Sequence, residues 1–291
     1  MAAAGGSPGH RPGAPGRLSR RLGDRPRPGL SDHACCSYAT DEDRGRLAAA
    51  WVAEASPLHQ RALYVADATP VELVAELASL PDATAALEAG ALVVASSSTL
   101  YDLSAPIDPP TQLAAYAAAV EQALADGYSG LRVAADITPL VHDPARRTSH
   151  LAWEQYADRY IAEHALAPLC LYDVRRVRAL PAIVCAHAWQ GPEPMPFAYY
   201  AGGGSRGVLE GEVDGCHDGL LAEVLRGMPA GDDAIDVSGL RFTDGRAAST
   251  LHRELRRRRV TGQQVRIVGA SRMFRRVWEL CGFETSYLRA S

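Results

Sequence analysis

The chain has 291 residues, a formal net charge of −4 and 47% hydrophobic content, enough for two ordinary domains or one large one with packed cores. An acidic balance gives no global field for nucleic acid, and no run approaches the ~18–20 uninterrupted apolar residues of a membrane helix. All 30 basic residues are arginine, which excludes lysine chemistry such as a Schiff base, a Walker A lysine or a kinase ATP-lysine.

Residues 1–30 set six arginines against one acid, Asp24, among prolines and glycines. No apolar stretch interrupts them, so they do not form a signal peptide, and they are expected to be a disordered tail. From residue 31 short apolar runs alternate with helical stretches. Ala34–Tyr38 reads as a strand and Asp41–Ala55 as a helix with Leu47 and Trp51 on one face. Ala62–Ala66 is a strand ending at Asp67. Thr69 caps a helix with Pro70 in its first turn and Val71, Val74 and Leu77 inward. Strands at Ala91–Ala95, Leu131–Ala135 and Leu169–Tyr172 end in Ser96–Ser98, Asp136 and Asp173, with helices at Thr111–Ala125 and Ser149–His164 between them. Ile183–Ala186 is expected as a last strand. The alternation predicts a parallel α/β sheet.

Residues 188–196, with Pro192, Pro194 and Pro196, read as a linker. Beyond it, strands are expected at Phe197–Tyr200, Val208–Glu212, Ala234–Val237 and Gln264–Val268. Helices are expected at Gly219–Leu225, at Arg246–Arg259 with Leu251 and Leu255 inward, and after Ser271 with Met273, Val277 and Leu280 inward. This makes a second, small α/β domain over 197–291.

In parallel sheets, ligands bind outside the carboxyl ends of the strands. Asp67, Asp136 and Asp173 stand there, Tyr38 ends the first long strand, and His33, Cys35, Cys170 and Tyr172 lie before or within strands. These eight residues are the candidate effector site, although each acid also suits a helix cap. His33 and Cys35 share a strand face while Cys36 points away; they fall short of a metal site unless Cys170 or a distant group joins, and no metal or other cofactor is assigned. His150 and His187 are expected in surface or core roles. The six cysteines are scattered, without C-x-x-C spacing, as in a protein of a reducing cytoplasm. No G-x-S-x-G or P-loop is present, so neither nucleophilic catalysis nor ATP hydrolysis is expected, and the chain is read as not an enzyme.

The stretches His33–Tyr38, Ala62–Asp67, Gly127–Val133 and Leu169–Asp173 resemble the methanogen/methylotroph sensory domain, MEDS, over residues 31–187. The resemblance implies a RecA-like α/β fold and the sensing of a small hydrocarbon-type effector. From Gly211 to Phe283, the order Ala234–Asp236, Ser238, Phe242-Thr243-Asp244-Gly245, Val265–Gly269 and Arg276–Phe283 resembles a STAS domain of the anti-sigma-factor antagonist type. That resemblance implies binding of an anti-sigma factor at a surface around Asp214, Ser238, Asp244 and Gly245. In such antagonists a phosphorylatable serine follows the aspartate; here Gly245 stands in its place and cannot carry phosphate.

The whole is expected to be a cytoplasmic regulator of transcription that joins small-molecule sensing to partner binding, without a role for membrane or nucleic acid. Its rivals are an enzyme using the strand-end carboxylates and a DNA-associated regulator using the arginine-rich tail.

Overall fold

A computed structural model of the protein describes residues 20–24, 27–143, 146–177 and 180–289. The first unit begins with β1 (Arg20–Arg21), β2 (Ala34–Tyr38), α1 (Asp41–Ala53) and β3 (Arg61–Ala66). It continues through α2 (Pro70–Glu76), α3 (Ala83–Glu88), β4 (Leu92–Ser96), the short α4 (Ser97–Leu100) and α5 (Pro109–Ala125). It closes with β5 (Leu131–Asp136), α6 (Thr138–Val141), α7 (Arg147–Ile161), β6 (Leu166–Asp173), α8 (Leu180–Cys185) and β7 (Trp189–Gly191). Local chemistry sets the helix starts. Thr69 and Glu72 form a reciprocal capping box ahead of α2, and Thr40 and Asp108 accept the backbone N–H of Asp43 and Thr111.

The seven strands are ordered β1-β7-β2-β6-β5-β3-β4, and every pairing is parallel. Parallel strands need crossover helices, which cover both faces, and this explains the near-continuous apolar runs. Alternation along each strand then sorts the side chains. Ala34, Cys36 and Tyr38 join a core with Trp51, Leu73 and Leu77. Cys35, Val133, Cys170 and Tyr172 join the opposite core with Trp153 of α7.

Three expectations for this unit are corrected. Arg20–Arg21 pairs with Trp189–Gln190, and the Pro28 carbonyl accepts from the buried Arg132 guanidinium. This part of residues 1–30 is therefore ordered: the open edge of β7 offers it hydrogen bonds, and Trp189 offers the Arg20 guanidinium an aromatic face. Residues 1–19, with most of the expected tail, lie outside the described residues. Second, Ile183–Cys185 belongs to a helix, with Pro181 in its first turn, and the strand position falls to Trp189–Gly191. Third, Val71 is 81% exposed while Leu73 and Leu77 point inward.

The second unit opens with β8 (Phe197–Ala201), which turns through three glycines into the antiparallel β9 (Arg206–Val213). Helix α9 (Asp218–Arg226), β10 (Ala234–Asp236), β11 (Leu240–Thr243), α10 (Gly245–Val260), β12 (Arg266–Val268) and α11 (Arg272–Leu280) follow. β9 runs parallel to both β10 and β11, and β10 to β12. As expected, Leu251 and Leu255 are buried on α10 and Ser271 caps α11. The inward face of α11 differs by one position: Phe274 and Trp278 are buried, while Met273 and Leu280 are 70% and 68% exposed. Two aromatic rings bury more area than methionine and leucine, and Trp278 packs against Phe274, Phe283 and Tyr287.

The linker is short, and the two units share a core. Leu151, Ala182, Cys185 and Ala186 of the first pack with Phe197, Leu221 and Leu225 of the second. Within β8, Phe197 and Tyr199 join that shared core, while Ala198 and Tyr200 join the one behind β2.

Candidate functional site

His150, Glu154 and Asp158 recur every fourth residue on α7, so one helix face aims all three at the sheet. Glu154 is the hub. Its Oε1 accepts a hydrogen bond from the Tyr172 hydroxyl at 2.9 Å and lies 2.9 Å from His150 Nε2. Its Oε2 lies 3.4 Å from His33 Nε2, 3.5 Å from His187 Nε2 and 3.9 Å from Cys170 Sγ. His33 Nε2 is also 3.4 Å from Cys170 Sγ. On their outer sides, His33 Nδ1 lies 3.2 Å from Asp158 Oδ1, and His187 Nδ1 donates to the Ile183 carbonyl at 2.8 Å. All of these groups are buried.

The strand register assembles this cluster. Cys35 pairs with Cys170, so β2 and β6 place two thiols and Tyr172 under α7. His33 enters from just before β2, and His187 from the segment between α8 and β7. Burial opposes a charge on Glu154, but His150 and His187 outweigh it and hold the carboxyl well below its usual range. Burial likewise opposes a charge on His187, yet Cys35, Cys170 and Glu154 hold that imidazole well above its usual value. Burial and then His187 lower His33, despite Asp158 and Glu154. Burial, with Glu154 adding to it, pushes the Cys170 thiol up to about 12.

Beside His33, Glu154 and Cys170 lies a cavity of about 40 Å³, walled otherwise by apolar and aromatic groups including Tyr101, Tyr116, Ile137 and Trp153. A polar site needs about 10–15 Å³ on this measure to hold one water, so the space fits a molecule of a few heavy atoms. An apolar wall with a few convergent polar groups is the usual make-up of a small-molecule site.

A separate polar cluster occupies the opposite sheet face. The Tyr38 hydroxyl donates to Asp136 Oδ2 at 2.9 Å, and Arg44 bridges Asp136 and Glu76 at 3.4 Å and 2.5 Å. The Thr138 N–H donates to Asp136 Oδ1, and the Tyr64 hydroxyl donates to Glu76.

The eight expected effector residues therefore do not form one rim. His33, Cys35, Cys170 and Tyr172 gather under α7 on one face of the sheet. Tyr38 and Asp136 face the other way. Asp67 is exposed after β3, and Asp173 is held by Arg175 at 2.7 Å and 2.8 Å. The cause is the two-residue period of a strand, which sends neighbouring side chains to different faces. His150 and His187, expected in surface or plain core roles, are members of the buried cluster, as are Glu154 and Asp158. The visible signal was the spacing His150, Glu154, Asp158 on a predicted helix.

In the second unit, Asp214, Ser238, Asp244 and Gly245 follow the carboxyl ends of β9, β10 and β11. Asp244 Oδ1 accepts the Ala247 N–H at 2.9 Å as the cap of α10, and its Oδ2 accepts the Gly215 N–H at 2.8 Å. Asp214 Oδ1 accepts the Cys216 N–H, and Ser238 and Gly245 are exposed.

A wholly parallel sheet covered on both faces, with a small apolar cavity bordered by a few polar groups, makes the first unit an α/β domain with the make-up of a small-molecule-binding domain. Residues 32–188 match the family described as MEDS, the methanogen/methylotroph, DcmR sensory domain. The match takes in more than half of the chain, and the chain belongs to this family. No curated protein matches it. Among the described residues no helix is long and apolar enough to cross a membrane.

Proposed function

We propose that the chain is a non-catalytic, cytoplasmic signalling regulator, in which a small apolar effector at the cavity beside Glu154 alters how the C-terminal unit engages a protein partner. The observation that carries this reading is the double duty of α7. Asp158 presents Oδ1 to His33 and accepts the Ala201 N–H of β8 on Oδ2 at 2.6 Å. Gln155 Nε2 donates to the Val224 carbonyl of α9 at 2.7 Å, and Arg159 pairs with Asp232. A shift of α7 at the cluster is therefore transmitted to two elements of the second unit.

We read the first sheet as RecA-like and the second unit as a STAS-type output that occupies an anti-sigma factor and so acts on transcription. In support stand the β8–β9 hairpin, the β–α alternation after it and the gathering of Asp214, Ser238, Asp244 and Gly245 at one end of the sheet. Gly245 cannot carry phosphate, so effector binding replaces phosphorylation as the switch. The enzyme alternative finds less support: Asp136 and Asp173 are committed to Tyr38, Arg44 and Arg175, and Asp67 stands apart.

The test is capture of partners from the native cell by the full chain and by Phe242→Asp. Phe242 is 52% exposed on β11, two residues before Asp244. An anti-sigma-type protein recovered by wild type and lost with the variant is the expected result. No such protein, or the same recovery by both, would overturn the antagonist reading.

A further inference from the structure

We propose that His33, Glu154, Cys170 and His187 bind one divalent metal ion of the zinc class. This goes beyond sensing and does not depend on the effector or on the C-terminal partner. The four side chains offer atoms that all lie within 4.8 Å of one another, and all four are buried. Zinc takes nitrogen and oxygen ligands at about 2.0–2.2 Å and sulfur at about 2.3 Å, so the edges of a tetrahedral site span about 3.3–3.7 Å. Four edges here measure 3.4 Å (His33–Glu154), 3.4 Å (His33–Cys170), 3.5 Å (His187–Glu154) and 3.9 Å (Cys170–Glu154). These four edges lie close to those of a tetrahedral site, and the other two, from His187 to His33 and to Cys170, are within 4.8 Å, so the cluster closes on an ion by drawing His187 inward.

The surroundings are those of a ligand set. Metal-bound imidazoles hold their second nitrogen on a carboxylate or a backbone carbonyl, which orients the first toward the ion. His33 Nδ1 faces Asp158 and His187 Nδ1 donates to Ile183. Glu154 is oriented the same way: Tyr172 and His150 hold Oε1 and leave Oε2 to the centre. His187 Nε2 is buried, points into the cluster and makes no well-formed hydrogen bond there. Coordination gives that nitrogen a partner once it has released its proton, and the Cys170 thiol gives up its proton as well. Among the ligands themselves, one thiolate and one carboxylate then balance the charge of a divalent ion. Thiolate with imidazole selects zinc over calcium or magnesium.

The test uses the full chain, stripped with a chelator and titrated with Co²⁺ as a spectroscopic probe, then with Zn²⁺ in competition. Wild type should take up one equivalent of Co²⁺, with the visible spectrum of a tetrahedral site and a near-ultraviolet thiolate charge-transfer band, and Zn²⁺ should displace it. Replacing both exposed thiols, Cys216→Ser with Cys281→Ser, should leave the band intact. Cys170→Ser should abolish it and weaken Zn²⁺ binding at least about 100-fold. Asp158→Asn should keep the band and weaken Zn²⁺ about 10–100-fold. Absence of one-to-one binding in wild type, loss of the band with the exposed-thiol variant, or its survival in a folded Cys170→Ser protein would each overturn the proposal. If Cys170→Ser does not fold, the wild-type and exposed-thiol titrations decide: a band in both supports the buried site, and no band in either refutes it.

Discussion

Burial pushes the Asp136 carboxyl up, against the opposing pull of Thr138, Tyr38 and Arg44. The folded state thus holds the Asp136 proton more tightly than the unfolded chain does. The stability linked to that proton is fully present below the unfolded carboxyl value of about 4 and is lost as pH rises through the folded value. Arg44, which faces it directly at 3.4 Å, stays charged across this window. Wild type should therefore lose stability relative to Asp136→Asn between about pH 4 and neutrality, read as the difference in urea midpoints. A difference that grows in favour of wild type with pH would contradict this. Asp173 has the opposite sign: Arg175 holds its carboxyl below the usual range despite burial, so its contribution is lost as pH falls. Two strand-end aspartates that look alike in sequence thus respond oppositely, because one is buried among several polar groups and the other grips a single exposed arginine.

At the scale of elements, the cap of α10 is the sharpest case. Asp244 holds the first turn of its own helix and the turn after β9 through one carboxylate. Asp244→Ala should lower stability by about 1–2 kcal/mol, seen as a fall in Tm, while Asp244→Asn, which keeps an acceptor, should lose less. Partner-binding tests at this turn are cleaner at Phe242 for that reason. Most elements of this chain were legible in sequence, because parallel strands write continuous apolar runs and capped helices announce their starts, as at Thr69-Pro70 and Ser271. The phase of α11 was misread at Met273 and Leu280, which compete with Phe274 and Trp278, while Val277 does pack against the core as expected; only packing shows that the aromatic pair wins. The strand expected at Ile183 was misread because a short apolar run carries no period of its own. The candidate site was half legible. His33, Cys35, Cys170 and Tyr172 were visible from their strands, but their convergence with Glu154 and His187 is a long-range fact of register and helix placement.

For the whole molecule, the question is whether sensor and C-terminal unit unfold together. Alternate residues of β8 enter two cores, α7 donates to the Val224 carbonyl of α9, and Arg159 meets the buried Asp232. Gly227 sits where these surfaces touch: an added Cβ would lie 2.9 Å from Gln155 Nε2 and 3.0 Å from Leu151 Cγ. Interfaces within a chain permit domain motion unless they are large and apolar, and a shared apolar core couples the units thermodynamically. Hydrogen exchange of the β3–β5 region and of the β10–β12 region should therefore be lost at the same denaturant midpoint, in one cooperative transition. Gly227→Val drives a branched side chain into α7 and should split that transition in two. Separate midpoints in the wild-type protein would mean that the units are thermodynamically independent and that α7 is a contact without being a coupling element. Coincident midpoints that separate on wedging this one glycine would instead place the coupling at the α7–α9 contact, next to the buried cluster that α7 also carries.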